Sequence, residues 1–332
     1  MKNFNHNVAI SASRLDTLES CSWLYWCKYH LKLPDSTNAG ALKGTCCHNI
    51  FEHFLKKKYK KQVVEIIKKR SVTHHKVIQR YISSYIKKYP DYLSEFDIED
   101  INEMLVRGFS SDFFCKGGEL QKAEKDFDLE FKNPSFRIKG FIDKCALYRN
   151  KGLIGIFDYK SSQKKFSGKK REKNNQALIY EIACEVLFNL KGFIKFIFLR
   201  FDDPFQEHKY NEKEIEKFKS YLGEVQKKIS NFTREDAISN FAYDQQYPKK
   251  DQNGESDFSG PIMCGRAKFP GQLKRDGNPM WYCPFKFPFE YYVLIDSDGK
   301  LLKSSFKKEE LDKGENLTIK KRKYNGCPRF NQ

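Results

Sequence analysis

The sequence predicts an α/β protein, a strand-bearing core flanked by helices, with an α-helical insertion near the N-terminus. Two observations predict it. Up to about residue 115 the apolar residues recur at helical spacing. Beyond that point they alternate, or run apolar on both faces, before helical spacing returns. Residues 11–33 open with Leu15, Leu18, Trp23, Tyr25 and Trp26 at helical intervals and stop before Pro34. Residues 41–59 follow as a second helix, with Cys47, Ile50, Phe51, Phe54 and Leu55 as its stripe. Two or three amphipathic helices fill residues 60–115, marked by Ile78, Ile82, Tyr85 and Tyr89 and then Ile101, Leu105 and Phe109. Residues 127–131 and 136–146 alternate as strands do, and residues 153–160 are apolar on both faces before turning polar. A helix at 172–188, a strand at 192–201 and a helix starting in a capping-box pattern at Asn211 and Glu214 complete the core. Past residue 235 the chain is rich in Pro and Gly, with a strand at 291–295 and a basic tail. The expected division is a core over 1–235, holding the helical insertion at about 60–118, and a C-terminal extension over 236–332.

Charge and composition narrow the function. Lys plus Arg number 61 against 43 Asp plus Glu, a net charge of +18, which points to a polyanionic partner and most simply to nucleic acid. A Lys-rich surface that only keeps the chain soluble is the plain alternative. No apolar run approaches the ~18 residues of a membrane span. The most apolar stretch, 192–201, is broken by Lys195 and Arg200. The opening residues lack the apolar core of a signal peptide, so a cytoplasmic chain without membrane attachment is expected. There the ten Cys residues are thiols, most of them small buried hydrophobes, as Cys145 and Cys184 are expected to be.

Asp158, Tyr159 and Lys160 close the apolar strand at 153–160. Period-two geometry puts Asp158 and Lys160 on one face and turns Tyr159 to the other. Such triplets occur by chance at this composition, and position gives this one its weight. A strand rich in Ile and Phe rarely ends in a carboxylate beside an amine unless something binds them. Asp143 closes the run Gly140-Phe141-Ile142-Asp143, and two neighbouring strands could bring these carboxylates together at a sheet edge. Paired carboxylates suit Mg²⁺, a hard cation that takes oxygen ligands. Gln176 and Tyr180 lie one helical turn apart and share a face, which also reads as the polar edge of an amphipathic helix. His48, four residues after Gly44, flanks an apolar stripe, where a His is more often a satisfied core residue than a ligand. Cys46, Cys47 and His48 are adjacent on a helix and point different ways, so they do not chelate one zinc.

In chain order, Ser13-Arg14-Leu15, Cys21, Gly44 with His48, the acidic Glu124, Gly140 to Asp143, Asp158-Tyr159-Lys160 and Gln176 with Tyr180 form a set. Over about residues 10–230 this set resembles the RecB-like branch of the PD-(D/E)XK nucleases, the branch of AddB and CRISPR-associated exonucleases. The resemblance implies a restriction-endonuclease-like fold with a central mixed sheet between helices. It further implies that His48, Asp143, Asp158 and the Tyr159 carbonyl bind Mg²⁺ or Mn²⁺, with Glu124 as a supporting acid. Lys160 would orient or activate the attacking water, and Gln176 and Tyr180 would support the site and the DNA backbone. A metal-held hydroxide and a nearby ammonium are what phosphodiester hydrolysis requires.

Members of that branch often carry an iron–sulfur cluster held by one N-terminal and three C-terminal Cys. The resemblance matches Cys21 to the first and Cys264, Cys283 and Cys327 to the others, here spread more widely than in the family. A [4Fe–4S] cluster, a zinc ion and four unrelated thiols all remain open. The basic segment after the Asp158 strand, with Lys164, Lys165, Lys169, Lys170 and Arg171, is expected to be flexible and to meet phosphates, or else to be a solvated loop. Lys56 to Lys61 and Lys320 to Lys323 read as solvated faces. The function expected is a metal-dependent nuclease, most simply an exonuclease on DNA ends, with a helicase or recombination partner. Richness in Lys, Asn and Phe suits an AT-rich genome such as a phage's. A non-catalytic DNA-binding subunit and a basic, metal-stabilised interaction protein stay open as alternatives from other classes.

Overall fold

A computed structural model describes residues 8–121, 125–245, 249–250, 256–257, 264–311 and 314–331. Its helices and strands are, in chain order, α1 (Ala12–Ser20), α2 (Ser22–Tyr25), α3 (Ala39–Phe54), α4 (Lys60–Lys69), α5 (Lys76–Lys88), α6 (Asp97–Ser110), β1 (Glu119–Leu120), β2 (Lys125–Lys132), β3 (Ser135–Ile142), β4 (Lys144–Tyr148) and β5 (Leu153–Lys160). Then come α7 (Lys169–Glu172), α8 (Asn175–Phe188), β6 (Lys191–Phe198), β7 (Phe205–His208), α9 (Glu212–Ser230), α10 (Arg234–Ile238), β8 (Lys249–Lys250), β9 (Ser256–Asp257), β10 (Phe289–Ile295), β11 (Leu301–Ser305) and β12 (Thr318–Tyr324). The chain divides into two compact units: Met1–Ala12 with Thr37–Ser230, and Ser13–Ser36 with Asn231–Gln332. Residues 13–36, which the sequence division grouped with the core, thus cluster with the C-terminal part.

The first unit holds a five-stranded mixed sheet in the order β1-β4-β5-β6-β7. The pair β5–β6 is parallel, and the other pairs are antiparallel. This is the mixed sheet between helices expected from the sequence. Six consecutive residues of β5 are buried, as a central strand covered on both faces requires. The crossover from β5 to its parallel neighbour is α8, whose first turn is capped by Asn174 Oδ1, accepting Gln176 N and Ala177 N at 3.1 Å each. Strands β2 and β3 form a separate hairpin. The alternating run 136–146 is therefore two strands, broken at Asp143 between β3 and β4.

The region 60–110 forms three helices, α4 to α6. They share a core with α3, in which Phe51 stacks on the Tyr159 ring at 4.3 Å and meets Phe109 edge-on at 5.2 Å. Helix α9 opens as its sequence foretold: Asn211 Oδ1 accepts Glu214 N, and Glu214 Oε2 accepts Asn211 N. In the second unit a three-stranded sheet runs β11-β10-β12. Its edge strand β12 contains Lys320 to Lys323, read from the sequence as a basic tail. Four consecutive cations mask the strand period, and cations are common on exposed strand edges.

Candidate active site

Seven of the residues singled out from the sequence converge in the first unit, at the end of β5. Asp158 and Lys160 lie on one strand face, with Lys160 Nζ 2.6 Å from Asp158 Oδ2. Tyr159 points the other way into the α3–α6 core. Gln176 joins the groups: its Oε1 accepts Lys160 Nζ at 2.8 Å, and its Nε2 donates to Asp158 Oδ1 and to Tyr180 OH, both at 2.7 Å. Tyr180 OH donates to the Phe141 carbonyl at 2.7 Å. The i, i+4 spacing on α8 is thus used on the site side, not as a solvated edge.

Asp143 occupies the break between β3 and β4, where its Oδ2 accepts the Tyr159 N–H at 3.1 Å. The same oxygen lies 3.2 Å from His48 Nδ1, while His48 Nε2 sits 3.0 Å from the Tyr159 carbonyl. His48 reaches this position because α3 runs close to the chain after β5. A Cβ on Gly44 would come within 2.4 Å of Ser161 Oγ. His48 is therefore not a core residue but part of the polar cluster.

Burial is the dominant electrostatic fact. Asp158 is 2 % exposed, and desolvation raises its carboxyl above the usual range. The Lys160 ammonium opposes that shift and the Asp143 charge adds to it. Burial disfavours the His48 cation, but the hydrogen bond and charge of Asp143, with the charge of Asp158, outweigh it and raise the imidazole. Asp158 Oδ2 is sealed from solvent and faces the Lys160 ammonium. Two carboxylates, an imidazole and a backbone carbonyl are donors that suit Mg²⁺ or Mn²⁺. An ammonium beside them can steady negative charge developing on a phosphate.

Glu124 lies outside the described residues. The basic segment is less free than its composition implied. Phe166 is clamped by Gln206 through both backbone groups, at 3.2 and 3.0 Å, and Lys165 Nζ pairs with Asp203 at 3.1 Å. Lys164, Lys170 and Arg171 are exposed, and Lys170 Nζ lies 5.3 Å over the Phe166 ring. Lys169 begins α7, and its side chain lies outside the described residues.

Three supporting residues escaped the sequence reading. Lys144 is buried, donating to Tyr159 OH at 2.9 Å and the Phe113 carbonyl at 3.2 Å. Its signal is a lone cation at the head of a short apolar strand. Arg200 donates from Nε to the Ser161 carbonyl at 2.9 Å and pairs through both terminal nitrogens with Asp100, at 2.5 and 2.7 Å. Its trace was the interruption of the apolar run before Phe201. Asn174 carries the cap of α8, a Ser/Thr/Asp/Asn start signal one residue before the helix.

The second unit brings Cys21, Cys264, Cys283 and Cys327 to the lining of one cavity, with Trp23, Phe285 and Lys286. Burial pushes the Cys264 thiol up to about 11 and the Cys327 thiol up to about 12, and the sulfurs' mutual proximity adds to both. Each sulfur also meets a backbone amide: Leu24 at Cys21, Tyr243 at Cys264, Phe285 at Cys283 and Arg329 at Cys327. Amide donors aimed at sulfur favour thiolates. Among the described residues, the metal-ligating atoms that fall within 4.8 Å of one another in a group of three belong to Glu65, His74 and His75, so no three of these sulfurs do.

The family described as the PD-(D/E)XK nuclease superfamily matches residues 9–249. A search of curated proteins finds no match. Among solved structures, a candidate exonuclease from Eubacterium rectale is 12 % identical with a TM-score of 0.43, over 70 % of this chain and 86 % of that one. The protein SSO0001 is 15 % identical with a TM-score of 0.23, over 64 % of this chain and 86 % of that one.

Proposed function

Because the chain belongs to the PD-(D/E)XK nuclease superfamily, we propose that it is a RecB-like, metal-dependent deoxyribonuclease that trims DNA from its ends. One observation carries the reading: at the end of one strand the Asp143 carboxylate pairs with His48 and accepts the Tyr159 N–H, while the Asp158 carboxylate pairs with Lys160, both held by Gln176. His48, Asp143, Asp158 and the Tyr159 carbonyl would hold Mg²⁺ or Mn²⁺, which supplies an activated water and neutralises phosphate charge when bound. Lys160 orients the water and offsets charge on the scissile phosphate. Gln176 fixes the Lys160 amine and the Asp158 carboxyl relative to each other, and Tyr180 anchors Gln176 to the Phe141 carbonyl. Lys164, Lys170 and Arg171 meet the DNA backbone beside the site. The chain acts in the cytoplasm with a helicase or recombination partner. No helix among the described residues is long and apolar enough to cross a membrane.

The four Cys residues hold a [4Fe–4S] cluster in this reading. Sulfurs around one zinc stand ~3.8 Å apart, given Zn–S bonds of ~2.3 Å. No three of these sulfurs lie within 4.8 Å of one another, and each meets an amide, which favours the larger cluster. Anaerobically purified protein should be brown with about four irons per chain. One zinc instead, or neither metal, would reject the cluster without touching the nuclease assignment. For the latter, DNA degradation is measured with Mg²⁺ or Mn²⁺ on single-stranded, duplex and circular substrates. Degradation of linear but not circular DNA, abolished in Lys160→Met, is the expected result. A folded wild-type protein that cuts none of these, or a Lys160→Met variant as active as wild type, refutes it.

A further inference from the structure

Residues 264–283 form a hairpin-like finger in the second unit. Its base is tied by the Cys283 N–H to the Cys264 carbonyl at 3.1 Å and by an antiparallel bridge between Gly265 and Tyr282. The buried Lys286 Nζ donates to the Gly265 and Ala267 carbonyls, both at 2.8 Å. Gly265 has φ +75, and a Cβ there would lie 2.3 Å from the Trp281 carbonyl, so the two arms close on a residue that must be glycine. Further out, Met280 N donates to the Gln272 carbonyl and Lys274 N to the Asn278 carbonyl, both at 2.8 Å. The tip turns at Gly277, with φ +80.

A finger held this firmly could bury its apolar side chains against the rest of its unit, yet three of them are exposed. Trp281 is 63 % exposed, Phe269 58 % and Leu273 56 %. Large side chains left this exposed forgo burial that would favour the fold, so three together on one short finger mark a contact surface. The same stretch carries Arg266, Lys268, Lys274 and Arg275 against one acid, Asp276, whose Oδ1 is taken by the Asn278 N–H at 3.0 Å. Planar rings interleaved with cations on a rigid support are what unpaired bases and their phosphates require: stacking for the bases, charge for the backbone.

We propose that this finger binds single-stranded nucleic acid, with bases stacked on Trp281 and Phe269 and phosphates met by Lys268, Lys274 and Arg275. The proposal rests on the nuclease reading and names a second place where the same substrate is gripped. A duplex does not fit as well, because its bases are already stacked and closed to the rings. The finger is prepaid in order by its tied base, so little flexibility is lost on binding.

The test uses the full chain without added divalent cation, a fluorescein-labelled thymidine 20-mer and the same sequence as duplex, read by anisotropy. Trp281→Ala should weaken binding of the single strand about tenfold, on the scale of one stacked base. Trp281→Tyr should restore most of it, which a merely structural tryptophan would not do. Lys274→Gln with Arg275→Gln should flatten the log–log salt dependence by about 1.4, from ~0.7 per single-strand phosphate contact. Unchanged melting temperature by circular dichroism shows that these exposed substitutions leave the fold intact. If wild type binds the 20-mer and Trp281→Ala binds it equally well, the finger proposal is overturned while the nuclease reading stands. If wild type binds neither form of DNA, the finger proposal falls, and cleavage in Mg²⁺ or Mn²⁺ decides the nuclease reading separately. Loss in the variants of binding to anionic phosphatidylglycerol vesicles, with oligonucleotide binding intact, also overturns it in favour of a membrane surface.

Discussion

Glu181 follows Tyr180 on α8 and is 5 % exposed. Its Oε1 accepts the Gly192 N–H at 3.2 Å, while Oε2 is buried without a partner. Burial raises its carboxyl from 4.5 to about 7. A folded-state value above the unfolded one means that the native chain holds the proton more tightly. The acid form's stability is present below about pH 4.5 and is lost as pH rises through about 7. At 1.36 kcal/mol per pH unit the loss amounts to roughly 3 kcal/mol above neutrality. Glu181→Gln keeps the shape and cannot ionise, but it leaves an amide without a partner, which costs about 1–2 kcal/mol at every pH. The variant should therefore be less stable than wild type at pH 5 and more stable by about 1–2 kcal/mol at pH 8. That gain is a rise of ~2–8 °C in melting temperature, at ~2–4 °C per kcal/mol. Thermal melts of both proteins between pH 5 and 8.5 supply the difference curve, in which every other titrating group cancels. A difference that does not vary with pH refutes the reasoning.

Gln176→Ala should fold normally yet slow cleavage by ~10–100-fold, the usual loss when the group orienting a metal ligand is removed. A single-turnover assay in saturating Mn²⁺ checks it. Gly108→Ala drives a Cβ to within 2.1 Å of Phe51 Cζ, in the ring layer behind Tyr159. It should cost about 1–3 kcal/mol by overpacking, read as a lower urea midpoint with an unchanged slope. Cys327→Ala should lower soluble yield and metal content, whereas Cys184→Ala, buried in the first unit, should alter neither; equal iron in both preparations would count against a shared cluster.

What the sequence made legible was local. The shared face of Asp158 and Lys160, the opposite turn of Tyr159 and the pairing of Gln176 with Tyr180 all follow from fixed periods of 2 and 3.6 residues. Asp143 could be read as the close of the run from Gly140, but the division of 136–146 into two strands could not, because apolar Cys145 and Ala146 resume just after it. The ordering of the basic segment was hidden for another reason: Gln206, which clamps Phe166, lies 40 residues further on. No window of pattern could pair them. Likewise nothing in residues 13–36 announces their partners; the Trp23 indole donates to Tyr324 OH across 301 residues. Spacing alone could not reveal the surroundings of His48: its neighbours in sequence are apolar, while the Tyr159 carbonyl it meets lies 111 residues on.

That separation has a bearing on how the chain is made. Residues 37–230 leave the ribosome as one uninterrupted stretch and can close their sheet at once, with Ile10 pairing to Ile138 at its margin. Residues 13–36 emerge before that stretch, yet their companions, β10, β12 and Cys327, are translated only after it. At ~5–20 residues per second the wait is tens of seconds. Throughout it, Trp23, Tyr25 and Cys27, all buried in the finished protein, stand exposed on a loop tethered at both ends to a folded body. Such a loop is a natural client for a chaperone. A nascent chain stalled before residue 327 would carry a finished sheet and an orphaned aromatic loop, a form that quality control can recognise by its stickiness.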